Sequence, residues 1–549
     1  MPHVKKCAFL AIAVVVATGS FTPAAAQTPQ PVRRLSIDDA VKLALEQNLG
    51  IEIERLNPQI QDATVAQAHS YWVPTLVSTF QTNSQSTPST SVLSGGQTQI
   101  TNNSLTTQFG VNQVLPTGTS YSAAWNNGRI STNNIFTNYE PQLSSYVAFN
   151  VTQPLLKNRT IDTYRQQLQA TRKDREASDI SLNATIALTR RNVKNAYWDL
   201  AYARDNLTAQ QQSLDLAKRA LADNEKRVQI GTMAPIDIVE AQSEVARNEE
   251  AVIVAQAAIE EAADRLRVLV FNPSMPDFWN TSIEPTESMP FQPAVVDLDG
   301  ATRRAVASRT DVQLAKNSLA HSELNLKYYR SQVLPQVDAQ LSYQSNGIGG
   351  TQLSPLTSLS LATTNRSVLS QRGFGSVLGD VVTNAYPTWA LGVTVSYPIG
   401  NSTQETTLAR AQLQLQQAQT QLRNTEMQIA SQVRDAARQV QTNAKRVDSA
   451  RAARDLAEQK LTAEEKKFAA GIEINFFVFQ AQRDLAQART AEIKAIADYN
   501  KSVVDLEAVQ ETSLTGTAPL TTAGSGGIIT AVTSTGSSLS TTSSTATGR

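Results

Sequence analysis

The chain has 549 residues, 48 Lys+Arg against 48 Asp+Glu, one cysteine and a mean hydropathy of −0.26. A single core rarely grows past ~250–300 residues, so more than one unit is expected; zero net charge excludes nucleic-acid binding through bulk positive charge; and the low hydropathy excludes a bundle of membrane helices, each needing ~20 apolar residues. One cysteine makes neither an internal disulfide nor a zinc site, which asks for about four ligands.

The chain opens with Lys5-Lys6, an apolar run from Ala8 to Ala17, and Thr22-Pro23-Ala24-Ala25-Ala26. A basic start, a short apolar run and an A-x-A exit are the parts of an export signal, predicted over 1–26. Its removal takes Cys7 with Lys5 and Lys6, and leaves a cysteine-free chain with two more acidic than basic groups. No later segment reads as a membrane helix, so an exported membrane protein of this composition must be a β-barrel.

Residues 27–295 form a first unit. A helix is predicted over 36–72, followed by 74–153, whose 80 positions hold only two charged residues, Arg129 and Glu140. Within that stretch Val147, Phe149 and Val151 alternate with Ala148, Asn150 and Thr152, the period of a strand with one apolar face. Leu105–Leu115 and Tyr121–Trp125 alternate as well, around Pro116-Thr117-Gly118-Thr119. They read as a further membrane hairpin or a folded extracellular loop, and the loop is favoured. Charge returns over 155–271, with 34 charged residues in 117 positions. Ile186, Val193, Leu200, Leu207, Leu214, Leu221 and Val228 recur every seven residues there, and Ala196, Ala203 and Ala217 sit three places after members of that row. Heptads with small second-seam residues describe closely packed, supercoiled helices. A helix over 155–228 extends roughly 110 Å at 1.5 Å per residue. A turn is expected at 229–235 and a second helix over 236–270.

Residues 296–511 repeat the plan. Leu35 to Leu45 matches Val296 to Val306 at an offset of 261, and Pro74 falls on Pro335 at the same offset. Asp215-Leu216-Ala217 matches Asp455-Leu456-Ala457 at 240, as Gly231 matches Gly471. The second unit is therefore expected to hold a helix over 297–333, charge-poor strands in 335–397, a long helix over 401–468, a turn at 469–475 and a helix over 476–511. Trp389, Leu391, Val393, Val395 and Tyr397 alternate with small residues like lipid-facing strand positions. Tyr71, Trp72, Tyr328, Tyr329, Trp389 and Tyr397 lie near strand ends, where an aromatic girdle meets the membrane interface. The segment 512–549 is rich in Ser, Thr and Gly, and is predicted to be disordered.

About four strands per chain cannot close a barrel, since the smallest have about eight. Unpaired edges cannot face lipid, so several chains must share one barrel. The fold class expected is a mixed α/β membrane protein: two tandem structural repeats, with a shared transmembrane β-barrel continued by a long α-helical coiled-coil barrel.

The most specific segments are Arg227-Val-Gln-Ile-Gly231-Thr-Met-Ala-Pro-Ile-Asp237 and Lys467-Phe-Ala-Ala-Gly471-Ile-Glu-Ile-Asn-Phe-Phe477. With the strand-to-helix steps at Pro154 and Pro398, they resemble the TolC-type outer-membrane efflux family from about 35 to 511. That resemblance implies a homotrimer with a roughly 12-stranded barrel in outer-membrane lipid and a helical tunnel through the periplasm. It further implies a periplasmic adaptor, an inner-membrane pump and no cofactor, in an efflux or type I secretion system. It places the periplasmic tips and gate at Gly231, Asp237, Gly471, Glu473, Phe476, Phe477 and Gln480, and the adaptor contacts at Thr232, Met233 and Ile472. Better-known relatives carry two aspartates, one turn apart, where this chain has Phe477 and Gln480, so in place of an acidic constriction two readings stand: an apolar constriction made by Phe477 with Phe476, or two rings that pack between helix pairs. Of the three histidines, His3 leaves with the signal, while His69 and His321 do not superpose in the repeat. No nucleophile, phosphate-loop or metal-ligand spacing is present, and no enzyme is expected. The alternative reading is a trimeric coiled-coil tether or adhesin without transport.

Overall fold

The computed structural model describes residues 32–90, 97–275, 278–293, 295–355, 366–400 and 402–514. The expected export signal, and the Ser/Thr/Gly-rich tail from 515 onward, lie outside the described residues.

In chain order the elements are β1 (Val32–Leu35), α1 (Ile37–Gln47), α2 (Leu49–His69), β2 (Thr75–Pro88), β3 (Gln99–Val114), β4 (Ser120–Thr132), β5 (Tyr139–Pro154), α3 (Thr163–Gln229) and α4 (Ile236–Val270). They continue as β6 (Ser282–Pro285), α5 (Leu298–Ser308), α6 (Thr310–Gln332), β7 (Gln336–Leu353), β8 (Val368–Arg372), α7 (Phe374–Val382), β9 (Tyr386–Ser396), α8 (Thr403–Ala469) and α9 (Asn475–Glu511). Helices α3 and α8 are each 67 residues long, about 100 Å at 1.5 Å per residue. No helix among the described residues is long and apolar enough to cross a membrane.

Four sequence expectations are corrected. The helix over 36–72 is two helices, because Asn48 leaves helical geometry and caps α2 by accepting from the Ile51 amide (3.2 Å). The helix over 297–333 likewise breaks at Arg309. Helix α3 starts at Thr163 rather than 155. Asn158 takes a positive φ of 65°, and Asp162 supplies the cap by accepting from Arg165 N (2.7 Å). The largest correction concerns 104–130. These residues are not a separate loop, because β3 and β4 are full members of the main sheet.

That sheet has seven strands in the order β2-β3-β4-β5-β7, with β7 then pairing β9 at its lower end and β8 at its upper end. All its neighbours are antiparallel. Six strands are long and β8 is short, against the four strands expected. Helix α7 lies on β7 with Val377 and Val381 buried, and Ser345 Oγ donates to Val381 O (2.7 Å). Gly347 is required beneath it, since an added Cβ would stand 2.2 Å from Val377 O.

The helices pack as pairs, α4 along α3 and α9 along α8, with α2 and α6 laid against the upper parts of the long helices. Val193 and Leu200 of the heptad row are buried together with Ala196 and Ala203, and Val433, Val440 and Val447 are buried on α8. Small seam residues let backbones approach closely, and each methylene buried there contributes about 0.8 kcal/mol. Beside this core β1 and β6 form a parallel pair that no periodicity announced. The Tyr197 hydroxyl donates to Leu35 O (3.2 Å), and Arg34 and Arg204 both grip Glu284, holding its carboxyl below the usual range.

Candidate functional site: the helical tips and the strand wall

Both helical hairpins turn through the same backbone device. At the first tip, Gly231 N donates to Val228 O (3.0 Å) and Thr232 N to Arg227 O (2.9 Å); at the second, Gly471 N donates to Phe468 O (3.0 Å) and Ile472 N to Lys467 O (3.0 Å). This is the nested pair of bonds that closes a helix C-terminus with a left-handed residue. Gly231 and Gly471 have φ of 75° and 74°, and an added Cβ would meet nothing within 4 Å at either. Glycine is therefore demanded by conformation alone, not by crowding. Thr232 Oγ1 adds a bond to Arg227 O (3.0 Å). The two tips touch where the Arg227 guanidinium lies 4.7 Å over the Phe468 ring.

The side chains the turns present differ. At the first tip Asp237 is half-buried in the opening turn of α4, where the helix dipole favours a carboxylate, and Met233 is half-buried. At the second tip Phe476 and Phe477 are 47% and 44% exposed, their ring centroids 5.7 Å apart and edge-on. Two rings this exposed are not packed between helices of their own chain. Gln480 is exposed one turn further along α9, on the same face as Phe477, and Ile472 is exposed at the apex. Glu473 faces Glu464, with Lys467 Nζ donating to Glu464 (2.9 Å) and reaching Glu473 (3.5 Å). The hydrogen bond between the two carboxyls pushes the Glu473 carboxyl up and, with Lys467, holds Glu464 down. Among the described residues no three His, Cys, Asp or Glu side chains converge as metal ligands.

At the other end, the registers place one aromatic from each long strand on a single face: Phe80, Phe109, Trp125, Phe149, Tyr343 and Trp389. Phe80 and Phe109 meet edge-on at 5.4 Å, and the Phe109 and Trp125 rings lie 6.1 Å apart, tilted by 31°. The opposite face carries Gln81, Gln108, Asn126, Ala148, Gln344 and Thr388. Of the predicted girdle, Tyr71 stacks on Tyr164, Trp72 is buried and Tyr328 meets the Thr163 hydroxyl (3.0 Å), all where helices meet the sheet. Tyr329 packs against Tyr328, while Trp389 on β9 and Tyr397 just after it are exposed.

A profile of the family described as outer membrane efflux protein matches residues 40–270 and 301–510, most of the chain. The chain belongs to the outer membrane efflux protein family. Its fold is that of solved outer-membrane channels. It is similar to the Campylobacter jejuni CmeC outer membrane channel (15% identity, 86% of this chain and 85% of that one, TM-score 0.57). It is also similar to the open state of the Neisseria gonorrhoeae MtrE outer membrane channel (16%, 87% and 89%, TM-score 0.57) and to the Vibrio cholerae outer membrane protein VceC (14%, 87% and 96%, TM-score 0.57). No curated protein sequence matches it. Membership makes this chain an outer membrane efflux protein, of the transport class.

Sequence reasoning missed two features of the site. One is the Arg227–Phe468 contact between tips, which the 240-residue offset could have suggested by bringing the two turns together. The other is the pair of helix breaks at Asn48 and Arg309, themselves 261 residues apart. Asn48 Nδ2 donates to Leu269 O (2.9 Å) and Arg309 Nη1 to Val509 O (3.2 Å), so both pin the end of the unit's last helix.

Proposed function

We propose that three copies of this chain form the passive exit duct of a tripartite efflux or type I secretion assembly, receiving cargo from an inner-membrane pump through a periplasmic adaptor. The observation that carries this reading is the joining, in one chain, of a wall with an exposed apolar face to two 67-residue helices ending in exposed apolar tips. A trimeric helical barrel is supported by the lower heptad row, where Leu207, Leu214 and Leu221 keep the spacing of buried Val193 and Leu200 but stay half-exposed. Those side chains await a neighbouring helix. The two units, matched in helix order and length, are tandem repeats of one ancestral plan.

In the assembled duct each tip residue becomes a ring of three. Phe477, helped by Phe476, forms an apolar constriction that closes by packing and dewetting. Gly231 and Gly471 set the turns, Asp237 holds the α4 start, and Gln480 lines the step above the ring. Thr232, Met233 and Ile472 meet the adaptor. Tyr71, Trp72, Tyr328 and Tyr329 mark the inner membrane-facing rim of the wall, and Trp389 and Tyr397 its β9 flank. Single-channel recording in a planar bilayer tests the gate. Phe477→Ala should raise the conductance several-fold in a protein that still runs as a heat-sensitive trimer. An unchanged small current sinks the gate, and absence of any trimer band sinks the duct.

A further inference from the structure

Strands β3 and β4 sit between β2 and β5 without interruption. The β2–β3 ladder runs 14 residue pairs from Thr75↔Asn112 to Pro88↔Gln99, and β3–β4 runs 13 from Asn102↔Thr132 to Val114↔Ser120. The ladder between β4 and β5 continues in register from Ser120↔Thr152 to Ile130↔Gln142. Their hairpin turn lies at the helix end of the sheet, not at its far end. Leu115 N donates to Thr119 O (2.7 Å), Gly118 has φ 87°, and a Cβ on Gly118 would stand 3.1 Å from Asn158 O. Phe109 and Trp125 continue the apolar face of the neighbouring strands, and Gln108 and Asn126 continue the polar one. Farther from the helices Asn127 and Arg129 share the face of Trp125, so the apolar band covers the helix-side part of the hairpin, and a folded external loop has no reason to keep that band in line with its neighbours.

Among the described residues, β2 and β9 are the two long strands with no neighbour on their outer side, and β9 is exposed along all 11 residues. Such edges cannot stand in lipid. Strand β2 leaves helix α2 upward and β9 descends into helix α8, so β2 of one copy meets β9 of the next in the antiparallel sense.

We propose that the β3–β4 hairpin is part of the membrane wall, that the β2 edge of each copy pairs with the β9 edge of a second copy, and that three copies close an 18-stranded barrel. This rests on the trimeric reading above. Barrel diameter grows roughly linearly with strand number, so the opening is about 1.5 times as wide as that of a 12-stranded barrel. The helical tunnel is not widened, since each copy still brings two long helices and their partners.

The test uses the full-length protein, whose mature part has no cysteine to replace. Single substitutions Gln108→Cys, Phe109→Cys, Trp125→Cys and Asn126→Cys are exposed, in outer membranes, to a membrane-impermeant maleimide. Gln108→Cys and Asn126→Cys should label through the water-filled lumen. Phe109→Cys and Trp125→Cys should stay at least ten-fold less reactive and label only with a lipid-soluble maleimide. Equal aqueous labelling of both faces, in a protein that keeps its trimer band, overturns the six-strand wall and leaves the trimer standing. Loss of the trimer band in the unsubstituted protein overturns the reading beneath it. Edge closure is read by pairing Gln81→Cys with Thr388→Cys, Ala390→Cys or Gly392→Cys in turn. One of these combinations should give a covalent trimer on oxidation, and none doing so overturns the β2–β9 seam.

Discussion

The two halves of the chain agree in their helices and part company in their strands. Helices α1 and α5 both have 11 residues, α3 and α8 both have 67, and α4 and α9 have 35 and 37. The first half brings four long strands to the sheet and the second brings two, with β8 and α7 between them. The physics explains the contrast. Long helices must end level with one another for the tips to meet, so a one-residue change shifts a tip by about 1.5 Å and rotates its face. A sheet has no such constraint, because an added hairpin pairs with its neighbours, and in the proposed barrel it merely enlarges the circle. Length is held where elements run side by side to a shared end, and is free where they are added laterally.

The sharpest contrast lies at the helix breaks. Asn48 and Arg309 do the same task with different means. Asn48 caps α2 and reaches one carbonyl, whereas Arg309 is fully buried and spans Val509 O, the Gln432 side chain (2.5 Å) and Asp311 (3.0 Å). Burial pushes its guanidinium below its ordinary value, and Asp311 opposes that shift. Arg309→Ala strips a partnered charge from the interior and leaves Asp311 and Val509 O facing a void. It should cost about 3–5 kcal/mol. Asn48→Ala loses a cap and one hydrogen bond, about 1–2 kcal/mol. Thermal melts of the purified protein followed by helical circular dichroism check the order. Equal melting temperatures for the two variants would mean that the second pin carries no more than the first.

The tips give the next contrast. Asp237 and Phe477 occupy matching positions 240 residues apart, so one tip offers a carboxylate where the other offers a ring. In the proposed trimeric duct, Phe477→Asp should replace the apolar ring with an acidic one and shift the reversal potential towards cation selectivity, with several-fold preference in a salt gradient. Asp237→Asn should move it far less, since Asp237 is half-buried at a helix start. If both variants shift selectivity equally, the second tip is not the narrower one.

What the sequence made legible follows from which interactions are periodic. Heptads at Val193, Leu200 and Val433 announce the long helices because packing repeats along the rod. The tips were readable because Gly231 and Gly471 recur at the 240-residue offset that also carries Asp215-Leu216-Ala217 onto Asp455-Leu456-Ala457. The break at Asn48 interrupts no hydrophobic period, and its cap bond becomes visible only in three dimensions. Arg309 looks like an ordinary surface charge in sequence, and its burial depends on α8 and α9 arriving from more than 100 residues away. Strands β1 and β6, four residues each, are too short to show alternation. The alternation of β3 and β4 was plain, but assigning it to a wall or a loop needed the register with β2 and β5.

The glycine turns predict sameness rather than difference. Both sites have open space where a Cβ would stand and nearly equal φ, so the cost of alanine is that of left-handed backbone, about 1–2 kcal/mol at each. Gly231→Ala and Gly471→Ala should lower the melting temperature by the same amount. A larger loss at either would reveal a neighbour supplied by another copy in the assembly.

The smallest expected effect separates the tips by pH. Glu464 and Glu473 face each other at the second tip, where the first has Asn224 and Met233. Glu473 is raised by its bond to Glu464, so its contribution is present at low pH and is lost as pH rises through its folded value. Glu464 is lowered by Glu473 and Lys467, so its contribution is present above its unfolded value and is lost as pH falls through its folded one. The turn is therefore tightest between those two folded values, when one proton is shared, and loosens on either side. Glu473→Gln keeps a donor facing Glu464 at every pH, so the loosening on the alkaline side should vanish while the acid side remains. Amide hydrogen exchange at Gly471 and Ile472, against Gly231 and Thr232 in the same molecule, measures this directly. After correction for intrinsic exchange the first tip should show a flat profile and the second a minimum. Parallel profiles at the two tips would show that the carboxyl pair has no hold on the turn.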